Sequence, residues 1–198
     1  MWTYVWTLTH GGRDNLPDEY RIQMTTVSSP LALNPSGPTI LVGYEPSLRL
    51  FAGFGLTRHR QFTSGSPSVQ IDINTVRQAL QGGLSFDRKS NDEIAIGIRP
   101  DHLVDYINNA EALHRFGRFP DTFKLLNKAT ALEVIPQTDI DNLKTVRRRI
   151  VETVSRLSRS GNFRQQVLHA YGNRCAVTRA QLRLVDARHE PDFRAGEA

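Results

Sequence analysis

The hydrophobic period changes along this chain, and no single kind of layer accommodates both periods. Near the start, Trp2, Tyr4, Trp6 and Leu8 alternate with Thr3, Val5, Thr7 and Thr9, a spacing of two that puts one set on each face of a strand. Farther on, Ile140, Leu143, Val146, Ile150, Val154 and Leu157 recur at intervals of three and four, which draws an apolar stripe along a helix. A chain that holds both periods in separate blocks is α+β.

Between those blocks the pattern is legible in pieces. Tyr20, Ile22 and Met24 alternate again after a polar loop, so the first two strands are expected to form an antiparallel pair. Thr39–Tyr44 and Leu48–Phe54 are apolar runs separated by Pro46-Ser47 and predict two buried strands of a meander. Val69, Ile71 and Ile73 alternate once more, Asn74 offers a cap for a short helix ending at Gly82-Gly83, and Ile94–Ile98 returns to strand. Leu103, Tyr106, Ile107, Ala110, Leu113 and Phe116 mark one face of a helix between Pro100 and Gly117. Residues 1–117 are therefore expected to form a mainly antiparallel domain with two helices, followed by a connector over 118–137. Residues 138–198 read as a basic helix from Thr138-Asp139 to Ser160-Gly161, a second helix capped by Asn162 with Phe163, Val167, Ala170 and Tyr171 on one face, and two short strands at 175–178 and 182–186.

Composition sets outer bounds. The 198 residues are 39% hydrophobic with one cysteine, an ordinary globular balance. A lone Cys175 can make neither an internal disulfide nor a Cys-Cys zinc clamp, and it reads as a packing residue in a reducing, cytoplasmic setting. No run approaches the roughly 18 apolar residues of a membrane span, and the start lacks the pattern of a signal peptide, so no membrane partner is expected. The formal net charge is +5, unevenly placed. Residues 1–136 hold 13 basic and 13 acidic side chains, while 137–198 hold 12 and 7. Lys144, Arg147, Arg148, Arg149, Arg156, Arg159 and Arg164 oppose only Glu152 over residues 143–164. Arginine forks match phosphate oxygens, and each contact releases counterions, so this stretch points to double-stranded DNA or another polyanion. A solvated face with i,i+4 pairs gives the same count.

After the basic stretch come Phe163–Thr178, including Tyr171-Gly172-Asn173-Arg174-Cys175-Ala176-Val177-Thr178, and then Leu184-Val185-Asp186-Ala187-Arg188-His189. This order and spacing resembles the opening of the HNH nuclease module of restriction-type endonucleases, in which a helix ending in Tyr-Gly leads to Arg-Cys-Ala-Val-Thr and a second strand ends in Asp-Ala-Ala-His-Ile. The resemblance implies a DNA endonuclease with a ββα-metal site and a divalent cation, Mg²⁺ or Mn²⁺. His189 matches the general base, and Asp186 matches the strand carboxylate and is a candidate metal ligand. Two departures bear on activity: Arg188 stands at a small-residue position, and none of the nine residues after His189 is His or Asn. The module is thus expected to be incomplete, cut short or frameshifted after its first His, and the competing reading is a non-catalytic DNA-binding protein or decayed nuclease. Cutting both strands with one site per chain would favour a homodimer.

Two weaker patterns lie in the first domain. Asp72 with Asp87-Arg88-Lys89 imitates the acid, then acid-x-Lys, arrangement of another nuclease class, although a polar loop is the expectation at 86–88. Arg58, Arg60, Arg88 and Asn91 lie in loops and supply donors suited to base edges and phosphates. His10, His59, His102, His114 and His169 show no metal-ligand spacing.

Overall fold

A computed structural model describes residues 1–63, 65–172, 174 and 178. It shows an α+β fold in which a five-stranded mixed sheet separates two hydrophobic cores. The strands are β1 (Trp2–Thr7), β2 (Thr9–His10), β3 (Glu19–Gln23), β4 (Thr39–Glu45), β5 (Leu50–Phe54), β6 (Ser68–Asp72), β7 (Leu84–Arg88) and β8 (Ile94–Ile98). The helices are α1 (Leu56–His59), α2 (Ile73–Gly82), α3 (Leu103–Gly117), α4 (Pro120–Thr130), α5 (Gln137–Asp141) and α6 (Thr145–Ala170). The large sheet runs β1-β4-β5-β8-β7, and β2-β3-β6 form a small antiparallel sheet.

The period of two sorts side chains between the cores. On β4, Ile40 and Val42 enter one core while Leu41 enters the other; on β8, Ile94, Ile96 and Ile98 enter the first and Ala95 the second. The first core is closed by α3, α4 and α6 through Tyr106, Leu113, Leu125, Leu126, Ile150, Val151 and Val154. The second is closed by the small sheet through Ile22, Val69 and Ile71, with α2 packed on β7 and β8. Burial on both faces explains why β4 and β8 are continuous apolar runs.

The structure corrects the expected pairing of the first strands. β1 pairs in parallel with β4, and only Thr9-His10 pairs antiparallel with β3. Leu8, fully buried, makes the crossing: its N–H still bonds to Tyr44 O at 2.7 Å, and the chain then passes to the small sheet. Asp72 rather than Asn74 caps α2, its Oδ1 accepting from Asn74 N–H at 2.7 Å. Gly83, at φ 81°, ends that helix with its N–H on Ala79 O. Residues 86–88 belong to a strand, β7, rather than a polar loop.

Residues 118–137 hold α4, opened by Pro120 at its first position and packed on α6 and β7. The stripe that begins at Ile140 is split between α5 and α6. The break expected at Ser160-Gly161 is absent, and α6 runs on as one helix of 26 residues. Gly161 serves contact: a Cβ there would stand 2.4 Å from His102 Nε2 and 3.0 Å from an Arg99 nitrogen. With the helix unbroken, Phe163, Val167 and Tyr171 stay exposed at 69%, 37% and 52%. The strands expected at 175–178 and 182–186 fall almost entirely outside the described residues. Among the described residues no helix is long and apolar enough to cross a membrane.

Candidate nucleic-acid interface

The two sides of α6 divide its arginines. Ile150, Val151, Val154 and Ser158 face inward and are buried. Arg147 is on that same side, one turn earlier, where its Nη1 reaches both Asp121 oxygens at 2.7 Å and its guanidinium lies 4.8 Å from the Phe119 ring centre. Arg148 is spanned by two acids, Asp141 at 2.8 Å and Glu152 at 2.9 Å. Arg149, Arg156 and Arg159 are different. They follow one another at steps of seven and three, on the outer side, and all three are exposed. None makes an ion pair among the described residues; Arg159 only donates to Ser155 O at 3.1 Å. Glu152, the one acid on that side, is already held by Arg148. Lys144 is exposed at the N-cap, and the Arg164 side chain lies outside the description.

The four candidates expected in loops are brought partly together, although Arg58 lies on α1 and Arg88 ends β7, and only Arg60 and Asn91 stand outside helix and strand. Arg58 Nη2 donates to Asn91 O at 2.9 Å, and Asn91 Oδ1 accepts from Glu93 N–H. Arg88 Nε donates to Arg118 O at 2.9 Å, with its Nη2 on Asp92 Oδ1. Arg118 then lies 5.4 Å from the centre of Phe119, the ring that Arg147 also approaches. A chain of contacts thus runs from Arg58 through the β7–β8 turn and Phe119 to the start of α6. Arg60 is apart, bonded through Nε to Leu31 O. Sequence reasoning missed Arg118, Phe119 and Asp121, although Arg118-Phe119-Pro120 marks a cation and an aromatic fixed at a helix start.

The elements that carry Arg58, Arg60, Arg88 and Asn91, α1 and β7 among them, fall within a match to the family described as methylase-associated X1, which spans residues 1–107. The chain belongs to this family. That membership places it in a methylase-linked, restriction–modification setting. The methylase-associated X1 match takes in both sheets and the start of α3, and leaves α4, α6 and the HNH-like residues 163–189 beyond its end. No curated protein and no solved structure matches the chain significantly.

Inside the methylase-associated X1 region a polar cluster sits beside the β7–β8 turn. His59 Nε2 lies 2.6 Å from Glu93 Oε1, and Lys89 Nζ lies 3.5 Å from Oε2. Burial alone would raise the Glu93 carboxyl, but the His59 hydrogen bond and the Lys89 charge outweigh it and hold it at about 2. Asp87 moves the other way. Burial raises its pKa, with the neighbouring Asp72 and Glu93 charges adding to that and Lys89 opposing it. The strand missing from the acid, acid-x-Lys reading is therefore present, with Asp72 near Asp87. Even so, among the described residues no three His, Cys, Asp or Glu side chains are arranged to hold a metal. Asp87 and Lys89 are accounted for by the N-terminus of α2 and by Glu93. His189 and Asp186, the residues matched to the HNH base and carboxylate, lie outside the described residues.

Proposed function

We propose that this protein is a restriction-type HNH DNA endonuclease: residues 1–117 read the target, α6 grips the phosphate backbone, and residues 163–189 belong to the nuclease module. The outer row of Arg149, Arg156 and Arg159 carries this reading, because three cations on one helix face, without carboxylate partners among the described residues, are what a polyanion requires. The row leads along the same helix into the HNH-like segment. Arg58, Arg88 and Asn91 share a separate contact chain that ends at the inward Arg147, with their donors partly taken up by the fold.

In the HNH reading His189 removes a proton from water, and a divalent cation offsets charge on the scissile phosphate. The described residues offer no ligand set for that cation, so Asp186 and His189 alone carry the expectation. Residues 190–198 hold no His or Asn. That observation favours a second reading, DNA binding without cleavage, for residues 1–198.

Duplex affinity between about 50 and 200 mM salt tests the binding. Replacing Arg149, Arg156 and Arg159 together by Ala should lower the slope of log K against log salt by about three, near 0.9 per phosphate contact. An affinity flat in salt, or a slope unchanged in the triple variant, overturns it. Supercoiled plasmid with Mg²⁺ or Mn²⁺ separates the two readings. Binding without nicking supports the second; cation-dependent nicking that disappears in His189→Ala restores the first.

A further inference from the structure

The two edges of the large sheet are treated in opposite ways. β7 forms one edge, and Leu84, Ser85 and Phe86 are buried there under α2 and α4, with Asp87 and Arg88 closing the strand. Cover and charge of this kind stop an edge from pairing with other chains. β1 forms the other edge and has neither among the described residues. Its six residues, Trp2-Thr3-Tyr4-Val5-Trp6-Thr7, include no charge, no proline and no glycine. Trp2 is 45% and Val5 54% exposed.

The backbone shows which groups remain unpaired. Trp2 N–H bonds to Pro38 O at 3.0 Å and Leu8 N–H to Tyr44 O at 2.7 Å. The even-numbered residues therefore bond inward to β4, and the N–H and C=O groups of Thr3, Val5 and Thr7 point outward. Tyr4 and Trp6 stack on each other and pack against the second core, with their polar atoms on Ala32 O and Thr25 O. The strand is thus packed from one side and, among the described residues, open along the other.

We infer that β1 pairs antiparallel with β1 of a second copy of this chain, joining two five-stranded sheets across a two-fold axis. A partner selected by charge would need charges on this strand, and there are none; a strand of this composition is complementary to itself. Symmetry allows only residues of the same parity to face each other, and the outward groups must be the bonded ones. Registers in which paired numbers sum to ten or to eight meet both demands, and eight is favoured because ten would set Trp2 against Leu8, where the chain leaves the strand. Thr3 faces the partner's Val5 in bonded pairs, Tyr4 faces the partner's Tyr4, and the exposed Trp2 comes against the partner's Trp6. One strand pair buries less than the roughly 1,200–2,000 Å² of a stable interface, so the association is of micromolar strength and depends on concentration.

Sedimentation of the full chain between about 1 and 100 µM tests this inference. The protein should pass from monomer to dimer across that range, and Val5→Lys should raise the dissociation constant at least tenfold. Its far-UV spectrum and Tm should stay unchanged, because Val5 is exposed in the monomer. A chain that stays monomeric at 100 µM, or a dimer indifferent to Val5→Lys, overturns the proposal. Tyr4→Cys in a Cys175→Ala background fixes the register: oxidation should yield a covalent dimer through the 4–4 pair, whereas cross-linking through Val5→Cys instead overturns the register.

Discussion

The inner and outer sides of α6 are written in the same alphabet and do opposite work. Inward, Val151, Val154, Ser158 and Gly161 are packed, and even the cation there, Arg147, is held by Asp121 and Phe119. Outward, Arg149, Arg156 and Arg159 are exposed and make no ion pair among the described residues, Arg159 donating only to Ser155 O, and the row ends in an exposed Phe163. The difference lies in partners rather than composition: an arginine used by the fold has little left for a ligand. Residues 1–136 show the same division, since Arg60 and Arg88 donate to backbone carbonyls and the stretch carries no net charge.

If the inner side is as tightly specified as its contacts indicate, the largest effect should come from Gly161→Val. The new Cβ would stand 2.4 Å from the buried His102 ring, which Gly83 also presses from its own element. Overpacking of this sort costs about 3 kcal/mol, and a urea midpoint measures it. A loss under about 0.5 kcal/mol would mean that α6 is free to move off His102.

Acid probes the same packed region without a substitution. His114 Nδ1–H donates to Ile94 O at 2.8 Å, so in the neutral ring Nε2 accepts from Tyr106 O–H at 2.9 Å. Burial pushes His114 down to about 4, and burial also lowers His102. Because the folded pKa lies below the unfolded value of about 6.5, the unfolded chain takes up protons first as pH falls. Stability is then complete above pH 6.5 and declines from there toward pH 4. His114 alone accounts for about 2 kcal/mol by pH 5. A denaturation midpoint unchanged between pH 7 and 5 contradicts the assignment, and His114→Gln should flatten the profile.

Parts of both sheets were legible because β4 and β8 in the large one and the alternating β6 in the small one are read from local period alone. The parallel pairing of β1 was not. It depends on Leu8 crossing between sheets, a long-range choice that alternation does not encode. β7 was hidden by its polar end, since Ser85 and Asp87 face α2 while only Leu84 and Phe86 enter the first core. Gly161 misled for a related reason: a glycine that permits close approach looks in sequence like one that ends a helix. At the candidate interface the basic residues were visible, whereas their sorting into held and free was not, because Asp121, Asp141 and Phe119 reach them from other elements.

That sorting yields the smallest effect and the most discriminating one. Arg147→Ala removes a cation from a helix as basic as the outer row, yet its side chain is only 17% exposed and shares both Asp121 oxygens. Truncation should cost about 1 kcal/mol of stability, a modest value because Asp121 itself is half open to water, plus the lost contact with Phe119. Each outer arginine changed to Ala should cost less than about 0.5 kcal/mol. For DNA the order reverses. Arg147→Ala should leave the salt slope nearly unchanged, while each outer change lowers it by about 0.9. A variant set in which Arg147 dominates the slope, or in which the outer arginines dominate the Tm, would mean that the pairs seen along α6 exchange once a phosphate arrives.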